Sequence, residues 1–127
     1  MEIHEGTFEN KYAQFWITEN ILFFVYKDGV NIDLAAAKTV VADRLYFQNE
    51  TALPVLCDSR GVSLVDRSAR NYLATSGSLL AKAVALLVKE NVSHTMSTFY
   101  LEINKPAVPT RIFTQESEAL DFLASYR

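Results

Sequence analysis

The sequence predicts an α/β layered domain on a mixed, mostly parallel five-stranded sheet, and three features carry that prediction. Leu53 to Cys57 and Ala83 to Val88 are almost unbroken apolar runs with polar residues on either side, the pattern of strands buried on both faces of a parallel sheet. Segments with helical spacing separate these runs. Nearer the start, Tyr12 to Thr18 and Ile21 to Tyr26 are aromatic and β-branched runs divided only by Glu19 and Asn20, which fits a tight antiparallel hairpin. The resulting order is β, β, α, β, α, β, α, β, α, with four helices in a single domain spanning residues 1–127.

Each element has a local reason. Lys27, Asp28 and Gly29 close the second strand, which is apolar at every position and so needs cover on both faces. Asp33 caps a first helix running to about Gln48, with Leu34, Ala37, Val41, Ala42 and Leu45 as its apolar stripe and Lys38, Asp43 and Arg44 on the opposite side. Asn49, Glu50 and Thr51 lead into the Leu53 strand, which is expected to lie parallel to the second strand through a right-handed crossover. Ser63 or Asp66 caps the next helix, whose stripe is Ala69, Tyr72, Leu73 and Ser76, and Gly77 is its expected C-cap. Val92, Met96, Phe99, Tyr100 and Ile103 fit one face of a third helix. Pro109 opens a short strand to Phe113 that suits a sheet edge. Thr114 is expected to cap the last helix, with Ala119, Leu120, Leu123 and Tyr126 inward and Glu116 and Glu118 favourably placed in its first turn.

Composition narrows the function. The chain has 127 residues, half of them apolar, and twelve basic against fifteen acidic residues with no segregated block. That balance gives no nucleic-acid footprint. Cys57 is the sole cysteine, so no disulfide forms within the chain, and with His4 and His94 it lacks the spacing of metal ligands. No cofactor is called for, because neither a P-loop nor a glycine-rich dinucleotide fingerprint occurs. The start lacks the basic and apolar regions of a secretion signal, and no apolar run reaches the ~20 residues of a membrane span. Cytoplasmic residence is the default expectation.

The most informative stretch is Leu53 to Leu73, where a buried strand ends in Cys57 and Asp58 and a turn containing Gly61 and Val62 leads to a capped helix. The loop after a strand's carboxyl end, running into a helix N-terminus, is the usual binding edge of an open α/β sheet. This stretch resembles the motif of the STAS family, the SpoIIAA-like anti-sigma-factor antagonists. Asp66 keeps the aspartate of the motif, Ser68 falls at the phosphoserine, and Arg67 and Ala69 replace the first serine and the glycine. The element order is also that of SpoIIAA-like proteins. The closing residues Arg111-Ile112-Phe113, Glu118-Ala119-Leu120 and Phe122-Leu123 look like the end of bacterial SpoIIAA-like proteins of unassigned role. The resemblance implies a non-catalytic, regulatory, protein-binding module with Ser68 as its phosphosite.

The binding edge is expected to comprise Asp58, Ser59, Arg60, Asp66, Arg67, Ser68 and Arg70. Arg67 and Arg70 stand three apart on one helix, and Arg60 approaches them across the loop, so a phosphate or carboxylate fits between them. The alternative is a carrier or sensor of a small apolar or anionic ligand, using that edge or a pocket along Met96 to Ile103 like that of lipid-transfer proteins of related architecture. A hydrolase is not expected: Ser59 or Ser68, His94 and Asp58 or Asp66 supply triad residue types, but no G-x-S-x-G elbow is present. The expected partner is another protein, with neither nucleic acid nor membrane involved. The chain is expected to form a homodimer through the hairpin, because Phe15, Trp16, Phe23 and Phe24 cannot all face one helix layer.

Overall fold

The computed structural model describes residues 6–90 and 105–127. Its main sheet has six strands: β1 (Phe8–Glu9), β2 (Ala13–Thr18), β3 (Ile21–Tyr26), β5 (Leu53–Asp58), β7 (Ala81–Leu87) and β8 (Thr110–Phe113), side by side in that order. The first three are joined antiparallel, and β3, β5, β7 and β8 run parallel. Five strands were expected; the sixth is the two-residue β1 pairing with the hairpin. Glu19 and Asn20 both have positive φ (51° and 63°). That is the two-residue turn whose twist matches the strands it joins.

A second, two-stranded sheet was not expected at all. Strands β4 (Val30–Ile32) and β6 (Val62–Val65) follow β3 and β5 respectively and pair parallel. The reason is tertiary: β3 and β5 are neighbours, so the two connections leaving them run side by side and satisfy each other's backbone groups. Gly29 N–H donates to the Gly61 carbonyl at 2.7 Å, and Asp66 N–H to the Ile32 carbonyl at 3.1 Å. Gly61 sits so close to β3 that a Cβ there would lie 2.7 Å from the Lys27 carbonyl oxygen.

Each connection then ends in an aspartate cap. Asp33 accepts from Ala36 N–H at the start of α1 (Leu34–Gln48), and Asp66 accepts from Ala69 N–H at the start of α2 (Arg67–Thr75), both at 2.8 Å. This satisfies amides that the first helical turn leaves unpaired. Of the two cap candidates for α2, Ser63 instead lies within β6. Asn49 ends α1 in the left-handed conformation. Gly77 is not the C-cap of α2; that is Ser76, and Gly77 belongs to a following 3-10 turn, Ser76–Ser78. Helix α3 (Glu116–Ala124) begins after Gln115, which makes no side-chain cap, so the expected cap at Thr114 is also corrected. Three helices are present among the described residues; the fourth expected helix, 92–103, lies outside them.

The helices divide between the two faces of the main sheet. On the face of α1 and α2, Phe15, Leu22, Phe24, Tyr26 and Val55 pack with Ala36, Ala37, Val40 and Val41. On the other, Ile21, Leu56, Ala83, Ala85 and Leu87 pack with Ala119 and Leu123 of α3. The hairpin aromatics split accordingly. Phe15 and Phe24 stack at 5.1 Å inside the first core, whereas Trp16 and Phe23 stack at 5.6 Å on the opposite face, where Phe23 joins the α3 cluster. The four rings thus do not face one helix layer: strand alternation sends them to two faces, and each face carries a helix.

A cavity between the sheet and the two-helix layer

The buried side of α1 differs from the expected stripe. Ala36, Ala37, Val40, Val41, Arg44 and Gln48 are buried, while Ala42 is exposed. Arg44, expected on the outer face, is only 4% exposed. Its guanidinium donates to the Gln48 side chain, to the Gly77 carbonyl at 2.9 Å and to the Leu79 carbonyl at 3.0 Å. Gln48 in turn donates to the carbonyls of Thr51 and Leu80, both at 2.9 Å. This network fastens the end of α1 to the turn entering β7, where Leu80 has a left-handed φ of 59°. Burial of a charge is tolerated because every partner is an oriented acceptor. Burial lowers the pKa of Arg44 from its ordinary value, and nearby Cys57 and Tyr26 act in the opposite sense.

Arg44 forms part of the wall of a partly enclosed cavity of about 370 Å³. Its floor is the sheet: Phe24, Tyr26, Val55, Cys57, Val84 and Leu86. Val40, Val41 and Arg44 of α1 and Arg70 and Leu73 of α2 form one side, and Val62 to Val65 of β6 another. Mean strand alternation explains the floor, since every second residue of β3, β5 and β7 points this way. Cys57 is half-buried by area, but its remaining surface lies on the cavity wall. Burial first, then the neighbouring charge of Asp58, pushes its thiol up to about 12, against a smaller opposing effect of Arg44. A thiol so held is neutral and a poor nucleophile.

The expected binding edge is divided by the fold. Asp58 is buried at the end of β5 and accepts from Arg60 in a fork, Nε to Oδ1 at 2.9 Å and Nη2 to Oδ2 at 2.7 Å, while the Arg60 amide donates to Oδ1 at 3.1 Å. That hydrogen bonding raises the Arg60 pKa. Arg60 borders a second, shallow recess with Lys89, Glu90, Thr114 and Gln115. Ser59 and Arg70 instead line the cavity between sheet and helices. Ser59 Oγ donates to the Leu87 carbonyl at 3.0 Å, and Arg70 Nη1 to the Val65 carbonyl at 2.9 Å. Arg67 and Ser68 are exposed in the first turn of α2. Arg60 and Arg70 thus border different recesses, the Asp58 fork holding Arg60 beside the second one.

Of the residues that supply triad types, Ser59 is committed to a backbone carbonyl, Asp58 to Arg60 and Asp66 to its helix cap, while Ser68 is exposed. His94 and the expected pocket along Met96 to Ile103 lie outside the described residues. Sequence reasoning missed Arg44 and the β6 wall. The spacing of Ala37, Val41, Arg44 and Gln48 held the clue, since a polar pair continues an apolar helical stripe there. No comparable clue marks β6, whose pairing depends on β4, more than thirty residues earlier in the chain.

The family model described as a domain of unknown function, DUF7793, matches residues 15–127. The chain belongs to that family. A search of curated proteins gave no match. Among solved structures the chain is similar to an uncharacterised protein of the DUF3478 family, with a SpoIIAA-like fold, from Shewanella loihica PV-4. The two superpose with a TM-score of 0.60 at 12% identity, over 91% of this chain and 97% of the other. The likeness establishes a SpoIIAA-like fold. No helix among the described residues is long and apolar enough to cross a membrane.

Proposed function

We propose that this member of the DUF7793 family is a non-catalytic carrier or sensor that holds a small apolar ligand between the main sheet and the α1 and α2 layer. The observation that carries the reading is the cavity of about 370 Å³, which falls in the ~300–1,000 Å³ range of small-molecule sites and has their usual makeup, apolar walls with a few fixed polar groups. Its arginines and Ser59 are held by backbone carbonyls, so they orient a ligand without chemistry of their own. The committed state of Asp58, Ser59 and Asp66 supports a binding role over a hydrolytic one.

The test is to fill the cavity. Leu86→Trp places a ring where a half-buried side chain now lines the floor. Binding of the neutral fluorescent probe N-phenyl-1-naphthylamine is expected to fall at least tenfold with little change in Tm. A variant that binds the probe as the parent does would remove this reading.

A second reading, a regulatory module that binds another protein, is favoured by Arg67 and Ser68, both exposed directly after the Asp66 cap. A phosphate on Ser68 would add roughly 1.5–2 negative charges at the N-terminus of α2, where the dipole favours them. Pull-downs with Ser68→Ala and Ser68→Asp address it, and an unchanged partner set with normal melting would dismiss it. Self-association through the hairpin belongs to this reading and is supported by exposed Ile17 of β2. Light scattering at a mass of 14.3 kDa would count against it.

A further inference from the structure

We propose that the cavity selects a monoanionic amphiphile, a carboxylate on a medium-length alkyl chain being its simplest member. The inference deepens the ligand-binding reading and rests on it. An apolar wall alone would accept any hydrophobe of suitable size, so the discriminating feature is the charge set into it. Arg44 is 4% exposed and lines the cavity. Its hydrogen-bond partners are all neutral, the Gln48 amide oxygen and the carbonyls of Gly77 and Leu79. Arg70, the other charged residue of the wall among the described residues, donates through Nη1 to the Val65 carbonyl. No aspartate or glutamate lines the cavity among the described residues. The nearest acid on the floor strand, Asp58, is forked by Arg60 at the edge of a different recess.

A fixed positive charge in a low-dielectric wall raises the affinity of an anion and lowers that of a cation. Guanidinium groups already oriented by backbone carbonyls need little reorganisation when an anion enters. The alkyl chain of such a ligand would lie along Val40, Val41, Val55, Val84 and Leu86, whose side chains are wholly aliphatic. The head would settle on the arginine side of the wall. A cationic amphiphile would face the same aliphatic floor but a repulsive side.

Three probes with the same ten-carbon chain separate charge from hydrophobicity: decanoate, decanol and decylammonium, each titrated calorimetrically below its solubility and micelle limits. Decanoate is expected to bind at least tenfold more tightly than decanol, a difference of about 1.4 kcal/mol, and decylammonium more weakly than either. Arg44→Lys is expected to keep most of the preference and Arg44→Met to abolish it, with Tm recorded for both. Should Arg44→Met fail to fold, the ranking of the three probes on the unaltered chain decides alone. Equal binding of decanoate and decanol, or tighter binding of decylammonium, overturns the anion inference while leaving the ligand-binding reading standing. Failure of all three probes to bind overturns both.

Discussion

The two faces of the main sheet are made from the same strands yet packed in different ways. Along β7, Ala83, Ala85 and Leu87 point toward α3 and are fully buried, whereas Val84 and Leu86, between them in sequence, are half-buried on the floor of the cavity. On the α3 side small residues let helix and sheet approach closely: Ala83 and Ala85 meet Ala119 and Leu123 with no exposed area left. On the other side two helices and the β4 and β6 pair must share one face, and Arg44 and Gln48 occupy the place where a closed core would put aliphatic groups. The lesson is that burial of a strand on both faces does not mean equal packing on both. One face is closed by fully buried small and aliphatic side chains, and the other borders a cavity.

The largest effect should come from opening the filled face. Leu123→Ala removes a fully buried side chain and is expected to cost about 2–5 kcal/mol. Leu86→Ala, on the cavity floor, should cost clearly less, because part of its surface already lacks packed neighbours. Urea unfolding of both variants measures the contrast, and equal losses would mean that the two faces are packed alike.

A smaller effect is expected at the wall of the cavity. Gly61→Ala would set a Cβ 2.7 Å from the Lys27 carbonyl oxygen, and since the conflict is with backbone, β6 must shift. Overpacking of this kind costs roughly 1–3 kcal/mol. The loss should be accompanied by weaker probe binding, because β6 is one side of the cavity. Leu123→Ala should show the reverse pattern, with stability lost and probe affinity kept at temperatures where the chain is folded.

The finest comparison is by pH. The Cys57 pKa is raised from 9.0 to about 12 in the folded chain, so above pH 9 the unfolded chain loses a thiol proton that the folded chain retains. Stability from this group is complete below pH 9 and declines between pH 9 and 12, by roughly 1.4 kcal/mol at pH 10. Comparing the parent with Cys57→Ala cancels the other groups that titrate there. The parent should lose stability more steeply, and parallel curves would place the thiol in contact with bulk water.

Sequence patterns were enough for much of this architecture, and the reasons are local. The Glu19-Asn20 turn, the Asp33 and Asp66 caps, the buried parallel strands and the placing of β8 at a sheet edge follow from short-range chemistry that few tertiary contacts override. The resemblance of the Leu53 to Leu73 stretch likewise led to the SpoIIAA-like fold. The expected binding edge was read less completely. Strand-end and helix-start positions are visible in sequence, but whether neighbouring arginines converge depends on the partner each one finds. Arg60 finds Asp58 two residues away, and Arg70 finds the Val65 carbonyl.

What the sequence by itself determined is the order of the principal strands and helices among the described residues, the aspartate caps of α1 and α2, and the alternation that assigns residues to one face or the other. The tertiary structure alone decided the β4 and β6 pairing, the burial of Arg44 and the space above Val84 and Leu86. Strand alternation and helix capping act over two to four residues and are written in neighbouring side chains. A cavity is a property of how far apart whole layers stand, and Arg44 stays buried because the Gly77 and Leu79 carbonyls, more than thirty residues along the chain, arrive to meet its guanidinium.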